Sequence, residues 1–128
     1  MERHRVSTGT EWESQVGYSR AIRAGDTVRV AGTIATDEDG EVVAPGQPYE
    51  QTAHALGIVT DALEELGASA ADVVATRMYV TDMASMDEVG RAHGEVFADV
   101  RPAATMVEVS GLAAEGAVVE VEAEAISG

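Results

Sequence analysis

Glu120, Glu122 and Glu124 recur at every second position of one short run, with Val119, Val121, Ala123 and Ala125 alternating between them. In an extended strand this spacing puts the acids on one side and the apolar residues on the other. Neighbouring like charges and loss of water both disfavour a carboxylate, so Glu120 is expected to hold its proton to a raised pH. Such a group can trade protons with a water or an amine, so the row offers a candidate catalytic carboxylate. The alternative is an ion pair with Arg29 or Arg77, each of which falls on the side of its strand opposite the main apolar set. His93 could carry a proton near neutral pH; the alternative is a packed, hydrogen-bonded histidine on a helix stripe. Arg20 could bring positive charge to a site, or could be an ordinary surface arginine.

Other chemistries lack their residues. There is no cysteine, so thiolate catalysis, disulfides and cysteine-based zinc sites are excluded. His4, His54 and His93 are scattered, without the paired spacing of a metal motif. No glycine-rich phosphate loop and no G-x-S-x-G elbow is present. No metal site is expected.

The elements that must position these groups follow from periodicity. Residues 20–22 and 27–31 read as strands around the turn Ala24-Gly25-Asp26, and Asp37-Glu38-Asp39-Gly40 as a second turn. Residues 49–66 read as a helix, with Ala55, Leu56, Val59, Ala62, Leu63 and Leu66 on one stripe and Gly67 just past its end. Residues 72–81 read as a strand with Val74, Met78 and Val80 facing one way and Arg77 and Tyr79 the other. Ser85-Met86-Asp87-Glu88 has capping-box spacing and opens a second helix bearing Met86, Val89, His93, Val96 and Phe97 on one face. Residues 103–109 and 118–126 are the last strands. The expectation is one domain over residues 1–128, an α+β fold with two helices on one face of a mixed sheet. Arg29, Arg77 and the three glutamates then lie on the other face, where ion pairs and a subunit interface would cover them.

Composition bounds the partners. The chain has 128 residues, 45% of them apolar and only 4% aromatic, so its core is built from small aliphatic side chains. The net charge of −15 opposes binding to nucleic acid and to anionic membranes. Lysine is absent and all eight basic residues are arginine, which fits either salt adaptation or a GC-rich genome. Neither a signal-like stretch at Met1-Glu2-Arg3-His4-Arg5 nor a membrane-length apolar run is present, and a cytoplasmic location is expected.

Six blocks, in order, resemble the Rid (reactive intermediate deaminase, or YjgF) family: Gly17-Tyr18-Ser19-Arg20-Ala21; Val30-Ala31-Gly32-Thr33-Ile34; Leu66-Gly67-Ala68-Ser69 with Asp72-Val73-Val74; Tyr79-Val80-Thr81-Asp82-Met83; Arg101-Pro102-Ala103 with Val107-Glu108-Val109; and Val119-Glu120-Val121-Glu122-Ala123. The resemblance implies a chorismate-mutase-like fold and a homotrimer with a metabolite pocket at each subunit interface. It also implies cofactor-free hydrolysis of enamines and imines such as 2-aminoacrylate. It places substrate contacts at Tyr18, Arg20, Gly32, Thr33, His93, Ala104 and Thr105, with Glu120 beside the attacking water. At 104 the family's enzymes carry an arginine that clamps the substrate carboxylate, and alanine supplies neither its charge nor its fork. This chain resembles a subgroup with G-Y-S-R-A, a helix histidine and R-P-A-x-T-M, and 2-aminoacrylate is expected to be a poor substrate. A non-catalytic ligand-binding or chaperone-like module is the alternative. Ribonuclease activity, also attached to this family by name, conflicts with the charge. Highly purified protein is expected to leave single-stranded RNA uncut in a gel assay near physiological salt, and cleavage would overturn the charge argument.

Overall fold

The last strand in the chain lies in the middle of the sheet. In the computed structural model, which describes residues 1–128, the strands β1 (Arg3–Val6), β2 (Ala21–Ala24), β3 (Thr27–Thr33), β4 (Val73–Val80), β5 (Ala103–Glu108) and β6 (Val119–Ile126) form one sheet. Its order is β1-β2-β3-β6-β4-β5, antiparallel throughout except for the parallel pair β4 and β5. The helices are α1 (Glu11–Val16), α2 (Pro48–Glu65) and α3 (Met86–Phe97). The expected α+β arrangement holds: α2 and α3 bury their stripes against Val28, Val30, Met78, Val80, Val119, Val121, Ala123 and Ala125. No helix is long and apolar enough to cross a membrane.

Helix α2 follows its periodicity closely. Ala55, Leu56, Val59, Ala62, Leu63 and Leu66 are all buried. Gly67 takes φ +81° and closes the helix, donating to the Glu64 carbonyl at 3.1 Å while Ala68 donates to that of Leu63 at 2.9 Å. Three expectations need correction. Val74 does not join Met78 and Val80: the register slips between Val73 and Ala75, so Val73 is buried and Val74 is 41% exposed. Ser85 makes no side-chain cap on α3; its hydroxyl turns back to the Asp82 carbonyl at 2.7 Å, and Asp82 caps the short turn Met83–Ser85 by accepting from the Ala84 amide at 2.9 Å. Met86, assigned to the apolar face, is exposed. Strand β1 and helix α1 go beyond the expected elements, because neither carries a periodic apolar pattern.

Two long connections, one before α2 and one before β6, are pinned by Gln51. Its amide nitrogen donates to the carbonyls of Val43 and Ala44 at 3.1 Å and of Gly116 at 2.8 Å, and its carbonyl accepts from the Val118 amide at 2.9 Å. Gln51→Leu keeps the bulk and strands these buried backbone groups. It should lower unfolding stability by about 2–4 kcal/mol in urea titrations.

Candidate functional site

Strand β6 sends Val119, Val121, Ala123 and Ala125 to the helices and Glu120, Glu122 and Glu124 to the open face. On that face each arginine meets the glutamate directly opposite it in the register. Arg29 pairs with Glu124, Nε to Oε1 at 3.1 Å, and Arg77 with Glu122, Nη1 to Oε1 at 3.4 Å. The Tyr79 hydroxyl also donates to Glu122 Oε1 at 2.7 Å. Glu120 therefore pairs with neither Arg29 nor Arg77, contrary to the ion-pair alternative. Its cross-strand neighbour on β4 is Tyr79.

On the β3 side the ladder is irregular. Val30 pairs with Ala123 and Thr33 with Val121, so β3 advances three residues while β6 advances two. The extra residue makes a bulge at Ala31 and Gly32, which re-aims the backbone toward Glu120. A Cβ on Gly32 would come within 2.8 Å of Glu120 Cδ, so only glycine lets the carboxyl lie against the chain here. Arg20 lies alongside. Its amide donates to the Val6 carbonyl at 2.8 Å and its carbonyl accepts from Ala31 at 2.9 Å. Its Nη2 donates to the Gly32 carbonyl at 2.5 Å, and its buried Nε has no partner. The guanidinium stands 5.8 Å from the centre of the Tyr18 ring. Arg20 is thus a built-in part of this corner.

Burial raises the pKa of Glu120; Arg20 opposes that shift and Glu122 reinforces it. The direction is the one the row of acids predicts, with loss of water the larger cause and Glu124 playing no part. Tyr18, Arg20, Gly32 and Glu120 come together, as the sequence places them. Thr33 does not join them: it is 1% exposed, and its hydroxyl donates to the Ala31 carbonyl at 2.7 Å.

His93 and Ala104 lie on the other face. Thr76, the register partner of both Ala104 and core-facing Ala123, holds His93 Nε2 at 2.9 Å from its hydroxyl. The imidazole packs 4.7 Å from the Phe97 ring, and burial lowers its pKa, which keeps it neutral at neutral pH. Thr105 pairs with Arg77 and shares the open face. No cluster of three metal-binding side chains forms. Trp12 is 68% exposed, close in sequence to exposed Val16 and Tyr18.

Two contributors are not apparent in the sequence: Thr76 and Tyr79, whose partners come from distant elements.

The sequence model described as endoribonuclease L-PSP matches residues 8–127. A Streptomyces coelicolor protein is 42% identical over 124 residues, covering 97% of this chain and 92% of its own length. The 3-aminoacrylate deaminase RutC of Acinetobacter baylyi is 32% identical over 104 residues, 81% of this chain and 82% of the relative. A crystal structure from Mycobacterium tuberculosis, a member of the YjgF/YER057c/UK114 family, superposes with a TM-score of 0.88 at 46% identity, covering 98% of this chain and 99% of the other.

A carboxyl with a raised folded pKa binds more protons than in the unfolded chain, so its contribution to stability falls as pH rises through the folded value. Glu120→Gln cannot ionise. Its stability relative to the wild type should increase between about pH 4 and about pH 7 in paired urea titrations, and a flat difference would contradict the raised pKa.

Proposed function

Since the chain belongs to the YjgF/Rid family, we propose that it binds a small metabolite at clefts between three copies of itself and hydrolyses an enamine or imine there. The observation that carries this reading is Glu120, half-buried with a raised pKa and set against the bulged Gly32 beside Arg20 and Tyr18. The candidate residues divide between the two faces of one sheet, with Glu120, Arg20 and Tyr18 on one and His93 and Ala104 on the other. A second copy packed on the open face would bring the two groups to one cleft and would cover the glutamate row. Trp12, Val16 and Tyr18 offer it exposed apolar surface.

In this mechanism protonated Glu120 donates to the imine nitrogen, or to the β-carbon of an enamine, and leaves an electrophilic iminium carbon. The Glu120 carboxylate then takes a proton from water as the water oxygen bonds to that carbon. Glu120 returns that proton to the carbinolamine nitrogen, ammonia leaves as the hydroxyl proton passes back to the Glu120 carboxylate, and the carbonyl forms. An imine and one water become a carbonyl compound and ammonia, and the residues of the chain are restored. No metal or organic cofactor takes part.

Ala104 offers no fork for a substrate carboxylate, so imines derived from amino acids lack the grip that fixes their orientation. The RutC relative supports a deaminase of altered range. The endoribonuclease description of the family fits poorly with a net charge of −15 and an open face lined by glutamates. The missing clamp favours the second reading, a ligand-binding module without turnover.

The test generates 2-aminoacrylate, other imino acids and carboxylate-free imines in situ and follows ammonia release. Wild-type protein should accelerate at least one, with 2-aminoacrylate among the slowest. Glu120→Gln should lose about 10²-fold or more of that acceleration while remaining a trimer by sedimentation. No acceleration by an intact trimer would remove the hydrolase reading, and a ligand that raises the melting temperature without turnover would establish the second.

A further inference from the structure

The bulge takes the carbonyls of Ala31 and Gly32 out of regular pairing, since neither residue has a register partner on β6. Side chains take up both. The Thr33 hydroxyl donates to the Ala31 carbonyl at 2.7 Å, and Arg20 Nη2 donates to the Gly32 carbonyl at 2.5 Å. A carbonyl without a partner away from water is costly, so these two bonds favour the bulged path of β3 over a regular one.

Both donors are held to this task. Thr33 is 1% exposed, so its hydroxyl has no bulk water to turn to. The main chain of Arg20 is fixed on two sides, its amide on the Val6 carbonyl at 2.8 Å and its carbonyl under the Ala31 amide at 2.9 Å. Its buried Nε meets no acceptor. A guanidinium free to choose its own partners would not leave that group unmet. The Gly32 carbonyl holds it in place, with the Tyr18 ring 5.8 Å from its central carbon.

The consequence lies at Gly32. A Cβ there would fall 2.8 Å from Glu120 Cδ and Oε1 and 3.2 Å from Cγ, so the main chain of the bulge is itself the wall against which the carboxyl lies. Without the extra residue the alternation of β3 would shift by one, and Gly32 would lose this position. We propose that Arg20 and Thr33 are positioning residues of the Glu120 site: by taking the Gly32 and Ala31 carbonyls, they brace the bulge that sets glycine main chain against the carboxyl. The proposal rests on the reading of Glu120 as the proton carrier, and it gives Arg20 and Thr33 a role other than the substrate contact expected from the sequence. The remaining titratable and charged groups about that carboxyl are Tyr79 of β4 and Glu122 of β6, with Arg77 engaged by Glu122.

The experiment follows the Glu120 carboxyl by 13C NMR across pH in the full chain, for wild type, Thr33→Val, Thr33→Ser and Arg20→Lys. Thr33→Val removes the hydroxyl with little change in shape and none in charge, and Thr33→Ser keeps it. Arg20→Lys keeps the charge and loses the planar fork. With the brace lost, Gly32 withdraws and water reaches the carboxyl. The Glu120 midpoint should then fall in Thr33→Val and in Arg20→Lys, while Thr33→Ser should titrate as wild type. Exchange of the Ala31 amide should be roughly tenfold faster in Thr33→Val than in Thr33→Ser. A purely structural loss would lower stability and leave the midpoint of the folded protein in place. A wild-type midpoint in Thr33→Val or Arg20→Lys, or a lowered one in Thr33→Ser, overturns the proposal. Should a variant fail to fold, the wild type decides: a guanidinium held at the Gly32 carbonyl gives separate Nη1 and Nη2 resonances in 15N spectra, and one averaged resonance overturns the brace. None of these readouts needs turnover, so failure of the hydrolase reading and failure of this one are separable.

Discussion

The strict two-residue alternation of β6 governs both sides of this molecule. A central strand has neighbours on both edges, so its side chains can leave only above or below the sheet. Val119, Val121, Ala123 and Ala125 fill the layer under α2, and the interleaved glutamates are thereby forced onto the opposite face. Register then decides their fate. Two of them find arginines directly across the ladder. The third faces a tyrosine on one side and, on the other, a bulge where a glycine brings main chain in place of side chain. The difference in chemistry among three identical residues two positions apart comes from what the neighbouring strands present.

Legibility in the sequence divides along the same line. The stripe of α2 and the alternation of β6 are visible because each is encoded by local spacing, whereas Tyr18, Arg20, Gly32 and Glu120 come from three separate segments and are grouped in the sequence only by the family resemblance. The slip at Val74 is not, because it exists only relative to β6. Strand β1 carries no apolar periodicity and becomes a strand only through its pairing with β2. Ser85 has the right spacing for a cap, yet its hydroxyl finds the Asp82 carbonyl first. Thr33 lies in a block of the right composition and still turns inward, since the bulge ahead of it resets the alternation. Glu13 is the reverse case, an acid on a six-residue helix whose burial no hydrophobic pattern announces.

The polar groups inside this fold each hold main chain that no regular element would hold. Gln51 joins two loops to α2, and Glu13 joins the segment after β1 to α1. A core of small aliphatic side chains gives little purchase on such connections, because valine and alanine reach only their immediate neighbours. Long polar side chains with several lone pairs or protons reach further and specify direction as well as distance.

The position of β6 in the chain also has a consequence for biosynthesis. Translation delivers β3 and β4 well before the strand that must lie between them. Until residues 119–126 leave the ribosome, both present unsatisfied main-chain edges flanking an unfilled slot. A nascent chain of this design is open to pairing with the wrong partner for most of its synthesis. The net charge of −15 opposes such pairing between copies of the chain, since like charges repel.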